Sequence, residues 1–142
     1  MLYKRIMGLD VGDKRIGISL SDPLRITAQG LETFNRLDTE EKDVAHIVDL
    51  IKKNDVEFIV CGLPKNMNGT IGPQAEKVMA FADRIKDACG IRIEYSDERL
   101  TTVLVERTLI EADMSRSKRR KVVDKLAAVT ILQGYLDSHP SY

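Results

Sequence analysis

The sequence has few of the side chains that bind zinc or redox centres. Its 142 residues include only two cysteines and two histidines. Cys61 and Cys89 lie far apart in the chain and there is no CxxC pair. The number and spacing of ligands that a zinc site needs are therefore missing, and we expect both cysteines to be ordinary buried thiols.

Long hydrophobic runs and an excess of one charge are also absent. The longest apolar run is residues 58–63, far shorter than the ~20 residues of a membrane-spanning helix. The start, MLYKRIMGLD, lacks the hydrophobic stretch of a signal peptide. Basic and acidic residues both number 22, which excludes a uniformly basic surface and a polyanionic tail. We expect a cytoplasmic protein without membrane contact, in which any binding patch is local.

The apolar pattern predicts alternating strands and helices. Runs rich in β-branched residues and bounded by turn residues predict strands at 3–9, 15–20, 25–34, 56–61 and 91–95. Helical spacing predicts helices at 39–54, 73–89, 103–112 and 117–137. Three adjacent strands favour an antiparallel meander, whereas strands separated by helices favour parallel pairing. The sequence predicts an α/β fold of order βββαβαβα, with a mixed five-stranded sheet flanked by helices, in a single domain over residues 1–142.

Three acidic residues lie at positions that favour a functional role. Asp10 directly follows the first predicted strand and Glu98 leaves the fifth, so both should meet at one edge of the sheet, where ligands of such folds bind. Asp124 precedes small and apolar residues by three, four and seven positions, which places it on a buried helical face, where an unpaired carboxylate is costly. Three carboxylates without histidine or cysteine partners suit Mg²⁺ or Mn²⁺. The alternatives are a turn aspartate at residue 10 and a capped or solvent-reaching aspartate at residue 124.

The start of the last predicted helix is strongly basic. Residues 114–125, MSRSKRRKVVDK, contain six cations and one acid, a net charge of +5. Cations at a helix N-terminus oppose the helix dipole, so this arrangement favours a bound phosphate rather than the helix itself. A solvated run of charges is the alternative. The cations are Arg116, Lys118, Arg119, Arg120, Lys121 and Lys125.

Four segments together resemble the YqgF, or RuvX, family of nucleases. They are GLDVGDKRIG at 8–17, VCGLPKNMNGT at 60–70, SDERLTT at 96–102 and VDKLAAVTILQGYL at 123–136. The resemblance covers most of the chain and implies the RNase H-like fold, which agrees with the predicted order of elements. It also implies an acidic catalytic triad at Asp10, Glu98 and Asp124. Resolvases of this fold carry a second acid after the fourth strand, whereas residues 62–64 here contain no carboxylate.

The resemblance further implies hydrolysis of phosphodiester bonds with two Mg²⁺ or Mn²⁺ ions. Asp10 would bridge the two ions, and Glu98 and Asp124 would each complete the shell of one. Lys14, Arg15, Arg99 or the basic helix start would hold substrate phosphates. The implied role is maturation of the 5′ end of 16S ribosomal RNA, with precursor RNA and the ribosome or its precursors as partners. Because aromatic residues make up only 5% of the chain, recognition of backbone or shape is more natural than base stacking.

Other functions stay open at this point. The same family resemblance implies a Holliday-junction resolvase acting on branched DNA, which would be a symmetric dimer; the sequence does not separate monomer from homodimer. A nuclease-inactive module that binds RNA or accompanies transcription is the second alternative. An actin-like ATPase, suggested by DVG at residues 10–12, is disfavoured because the chain has the length of one such domain and no second DxG. The polar loop at 65–72 is either a substrate contact or a mobile surface loop.

Overall fold

The protein is built on a five-stranded mixed sheet flanked by helices, which confirms the predicted fold class. The computed structural model describes residues 4–97 and 116–139, with side chains for 4–97 and 125–139. The strands are β1 Arg5–Val11, β2 Arg15–Ser21, β3 Ala28–Asn35, β4 Val56–Leu63 and β5 Arg92–Asp97, and the helices are α1 Glu40–Lys53, α2 Pro73–Cys89 and α3 Arg116–Ser138.

The strand order is β3-β2-β1-β4-β5, so the first strand of the chain is the central one. β1 pairs antiparallel with β2 and β2 antiparallel with β3, which gives the predicted meander. β1 pairs parallel with β4, and β4 parallel with β5. The carboxyl ends of β1, β4 and β5 therefore lie side by side. We call this border the carboxyl edge of the sheet.

Each face of the sheet is covered by different helices. Side chains of alternate strand residues, such as Met7 and Leu9, form one hydrophobic cluster with residues of α1 and α2. The opposite face, which includes Ile6, Phe58 and Val60, packs against α3. The α3 residues of this second cluster are Ile131, Leu132 and Leu136.

The ends of the first two helices follow from local sequence. The Thr39 hydroxyl caps α1 by accepting a hydrogen bond from the backbone N–H of Lys42 at 3.3 Å. Three acidic residues occupy the first turn of α1, where they interact favourably with the helix dipole. α2 begins with Pro73 and ends at Gly90, whose φ of 71° is a left-handed conformation that glycine adopts without strain.

Some sequence-based predictions need correction. β1, β4 and β5 all extend two residues further toward the carboxyl edge than predicted, because backbone pairing continues past the apolar runs. Asp10 consequently lies inside β1 rather than after it. Cys61 is buried as expected, but Cys89 is exposed, because α2 makes its last buried contact at Ile85. The helix predicted at 103–112 lies outside the described residues, among which no helix has the length and apolar character of a membrane span.

Candidate active site

Asp10 lies next to the end of the central strand, on the face that packs against α3. It pairs with Gly17 of β2 and is half-buried, so solvent reaches its side chain. Its neighbours Leu9 and Val11 point into the cluster formed with α1 and α2. Because side chains alternate along a strand, Asp10 shares the α3 face with Gly8. A ligand at the carboxyl edge can therefore reach the carboxylate of Asp10 from the α3 side.

The direction of α3 follows from its contacts with β3. The side chain of Lys125 lies against Gly30. Gln133, two turns later, accepts a hydrogen bond from the backbone N–H of Ala28 at 2.8 Å and donates one to the carbonyl of Ile26 at 3.0 Å. Later residues of α3 thus contact earlier residues of β3, which runs in the same sense as β1. The N-terminal end of α3 points toward the carboxyl edge.

Of the other two predicted acids, the structure describes only the backbone of Asp124. Asp124 lies in α3, one helical turn before the buried residue Ala128, so the segment that carries it belongs to the same face as Asp10. Its side chain is outside the described part of the chain. Glu98 is outside it as well, but β5 ends at Asp97, which is paired with Leu63 at the carboxyl edge. Among the described residues, Asp10, the end of β5 and the N-terminal end of α3 thus lie toward one edge, and the roles of the three acids stay predictions.

The predicted phosphate-binding cations fall into two groups. Lys14 is exposed in the turn between β1 and β2, and Arg15 is half-buried at the start of β2. Both lie close in the chain to Asp10. Arg99 is outside the described residues. The remaining cations, whose side chains are not described, occupy the first turns of α3: Arg116, Lys118, Arg119, Arg120 and Lys121.

A network that the sequence analysis missed braces the chain just after Asp10. The Arg36 guanidinium donates to the buried carboxylate of Asp43 at 2.8 Å and to the carbonyl of Gly12 at 3.1 Å. It also stacks on the ring of Phe81, 4.8 Å from the ring centroid. Gly12 and Arg36 of this network also line a cleft of about 300 Å³ on the α1 and α2 side of the sheet. Nothing in the local sequence identifies this network, because its partners come from four separate segments.

The donor set at the carboxyl edge fits a hard divalent cation. Asp10 supplies carboxylate oxygens, the donors that Mg²⁺ and Mn²⁺ prefer. Among the residues whose side chains are described, no group of three histidine, cysteine or acidic side chains could hold a metal ion. Glu98 and Asp124, the other two predicted ligands, lie beyond the described side chains.

Comparison with known proteins identifies close relatives over nearly the whole chain. A protein of Desulforamulus reducens named "Putative pre-16S rRNA nuclease" is 59% identical over 134 residues, covering 94% of this chain and 97% of the relative. A protein of Clostridioides difficile with the same name is 58% identical over 137 residues, covering 96% of each chain.

Similar solved structures include resolvases. Thermus thermophilus RuvC in complex with a Holliday junction substrate has a TM-score of 0.58 at 12% identity, covering 98% of this chain and 97% of that one. The yeast mitochondrial Holliday junction resolvase Ydc2 has a TM-score of 0.54 at 10% identity, covering 98% and 83%. These likenesses establish the fold as that of RuvC-like proteins.

The family model described as "RuvX: Holliday junction resolvase" matches residues 4–138. This range includes the whole sheet, both sheet faces and the three predicted acids. Together with the identity of the relatives over their full length, the match shows that the chain belongs to the RuvX family of nucleases.

Proposed function

We propose that this chain is a metal-dependent nuclease that matures the 5′ end of precursor 16S ribosomal RNA. As a RuvX-family nuclease, it is a hydrolase of phosphodiester bonds. The observation that carries the proposal is the convergence on the carboxyl edge of Asp10, the end of β5 and the N-terminal end of α3. The names of the relatives favour ribosomal RNA as the substrate.

In this proposal Asp10, Glu98 and Asp124 hold two Mg²⁺ or Mn²⁺ ions. When bound, such ions supply a nucleophile at neutral pH and stabilise the charge of the departing oxygen. Asp10, on the central strand between β2 and β4, would hold the metal together with the other two acids. Its half-buried position also lets it meet substrate without a rearrangement of the sheet.

Cations on both sides of the carboxyl edge would hold the substrate backbone. Lys14 and Arg15 lie in the turn and strand that follow Asp10, and Arg99 directly follows Glu98 in sequence. The basic start of α3 points toward the same edge, although its charge opposes the helix dipole. Phosphates bound there would relieve this repulsion. The molecule as a whole is neutral, so in this proposal the substrate meets a local basic patch rather than a uniformly basic surface.

The first experiment compares cleavage of two substrates by the wild type and by Asp10→Asn. A precursor 16S 5′ segment and a four-way DNA junction are incubated with Mg²⁺ or Mn²⁺. We expect cleavage of the RNA, reduced more than about 100-fold in the variant, since even the partners of metal ligands contribute roughly 10- to 100-fold. Asp13→Asn is the matched control, because Asp13 is an exposed acid in the same segment with only a 3.7 Å pair to Lys77.

The outcomes separate the candidate functions. If Asp10→Asn is folded by circular dichroism and cleaves the RNA as fast as the wild type does, the proposed role of Asp10 is contradicted. Paired symmetric nicks in the junction, without RNA cleavage, would favour a resolvase, the activity that the family description names. Binding without cleavage of either substrate would favour a nuclease-inactive binding module.

A second experiment tests the basic surface through salt dependence. Each phosphate contact contributes about 0.7 to 0.9 to the slope of log affinity against log salt concentration. Neutralising Arg116, Arg119 and Arg120 together should therefore lower the slope by about 2. The control neutralises three cations of α1, on the opposite face of the sheet: Lys42, Lys52 and Lys53. An equal change in both triple variants would place the binding surface elsewhere.

A further inference from the structure

A row of small residues crosses three strands beneath α3. In the sheet register Gly8 of β1 lies opposite Ser19 of β2, and Ser19 lies opposite Gly30 of β3. A Cβ atom added at Gly8 would lie 2.9 Å from the carbonyl oxygen of Ala128 and 2.9 Å from the Cβ of Leu132. Atoms of α3 also lie within 3 Å of a Cβ added at Gly30. The helix therefore packs directly against the strand backbone at both glycines of this row.

Ser19 supplies a polar link within this row. Its side chain is fully buried, and its hydroxyl donates a hydrogen bond of 2.8 Å to the carbonyl of Ala128, 109 positions later in the chain. A carbonyl in the middle of an α-helix already accepts a bond from the residue four positions on. The helix therefore does not need Ser19 to satisfy its backbone. What the bond adds is a directional constraint on where α3 lies.

Along the backbone, the same contact is close to the positions of Asp10 and Asp124 in their elements. Asp10 is two residues beyond Gly8 on β1, about 7 Å along the strand. Asp124 is four residues before Ala128 on α3, about 6 Å along the helix. Asp124 also directly precedes Lys125, whose aliphatic chain covers Gly30. A displacement of α3 at the Ser19 contact would be carried directly to the segment that holds Asp124.

We propose that Ser19 is a positioning residue for the nuclease reaction. Its buried hydroxyl fixes α3 against β1 and β2 and thereby sets the separation between Asp10 and Asp124. The inference rests on the proposed function, because it requires both carboxylates to hold the same metal centre. Ser19 itself contacts neither substrate nor metal in this scheme, and it acts through the placement of α3.

Ser21→Ala provides a matched control for Ser19→Ala. Ser21 lies on the same strand, is 1% exposed, and its hydroxyl also makes one buried hydrogen bond, accepting from the backbone N–H of Ile6 at 2.8 Å. That bond links β2 to β1 at the end of the sheet remote from Asp10 and does not involve α3. Both variants thus lose one buried hydroxyl, but only one of them loses the link to α3.

The test measures Mn²⁺ affinity by isothermal titration calorimetry and RNA cleavage kinetics for the full chain. Ser19→Ala should weaken Mn²⁺ binding roughly 10-fold, the lower end of the ~10- to 100-fold that loss of support for a metal ligand costs. It should also lower kcat and raise KM for RNA, because the basic start of α3 moves with the helix. Ser21→Ala should change each of these less than about twofold. Ser19→Cys keeps the side-chain size and a weak donor, covers the case in which the alanine variant unfolds, and should give a smaller shift of the same sign.

Two results would overturn the inference in different ways. If the wild type binds Mn²⁺ and cleaves RNA but Ser19→Ala matches Ser21→Ala in affinity and kcat, Ser19 has only a structural role. If the wild type neither binds Mn²⁺ nor cleaves, the proposed function fails and the positioning role fails with it.

Discussion

Replacing Gly8 by alanine should destabilise the protein by about 2 to 3 kcal/mol. The added methyl group would lie 2.9 Å from both the Ala128 carbonyl oxygen and the Leu132 Cβ, whereas carbon atoms pack best at about 3.5 to 4.0 Å. Both of these atoms are fixed to the backbone of α3, so no side-chain rotation moves them away, and the Ser19 hydroxyl on β2 lies closer still and would also have to move. The upper part of the usual ~1 to 3 kcal/mol range for overpacking therefore applies.

Urea unfolding followed by far-ultraviolet circular dichroism measures this loss. With a slope of roughly 2 kcal/mol per molar urea, the midpoint should fall by about 1 to 1.5 M. Gly134→Ala is the control, because no atom lies within 4 Å of the added Cβ at that exposed helical position. This second substitution should stabilise the protein by about 0.5 to 1 kcal/mol through helix propensity.

Opposite signs for the two glycine substitutions would support the close packing of α3 on β1. A Gly8→Ala variant as stable as the wild type would refute it, since the helix would then have room for the methyl group. It would also remove the basis for a fixed distance between the segments that carry Asp10 and Asp124.

Asp43→Ala should cost about 2 to 3 kcal/mol in urea unfolding, because it removes the carboxylate closest to the Arg36 guanidinium and the acceptor of the Leu37 N–H. The ~3 to 5 kcal/mol of a broken buried pair is reduced, since the Arg36 side chain is 19% exposed and keeps its bond to the Gly12 carbonyl. Asp49→Ala, which removes an exposed ion pair of the same helix, should change stability by less than about 0.5 kcal/mol, and equal losses would contradict this reasoning. Burial, with a hydrogen bond to Glu94, raises the pKa of Tyr135 to about 12 from 10.0. Its stabilising contribution should therefore be complete below pH 10 and be lost as the pH rises through about 12. Ultraviolet titration should show a late phenolate transition that disappears in Tyr135→Phe.

The order of elements could be predicted because the spacing of apolar residues distinguishes the helices from the strands. The helical spacing of Val44, Ile47 and Ile51 predicted α1, and all three side chains are buried. In α2 the helical spacing of Val78, Met79 and Ala82 likewise predicts one buried stripe. Met79, however, is 36% exposed, and Phe81, outside that stripe, is buried. Spacing defines a stripe on a helix, but the position of the neighbouring sheet decides which border of that stripe is covered.

The candidate site was only partly predictable. Asp10 could be found because a carboxylate next to a buried strand end is uncommon and the family motif includes it. Ser19 could not, because its partner Ala128 is 109 positions away and a serine in a strand has no distinctive local pattern. Gly8 did carry a signal, since an isolated glycine inside a strand indicates a close approach of another backbone.

The placement of α3 has a consequence for how the chain folds as it is synthesised. The hydrogen bonds that attach this helix to β2 and β3 join residues more than 100 positions apart, such as Ser19 with Ala128 and Ala28 with Gln133. The five strands and the first two helices leave the ribosome before the residues of α3 do. Contacts between residues so distant in sequence therefore form late. Until then the apolar face around Phe58 stays open to solvent. A growing chain is therefore expected to be without nuclease activity and most prone to aggregate just before its last helix docks.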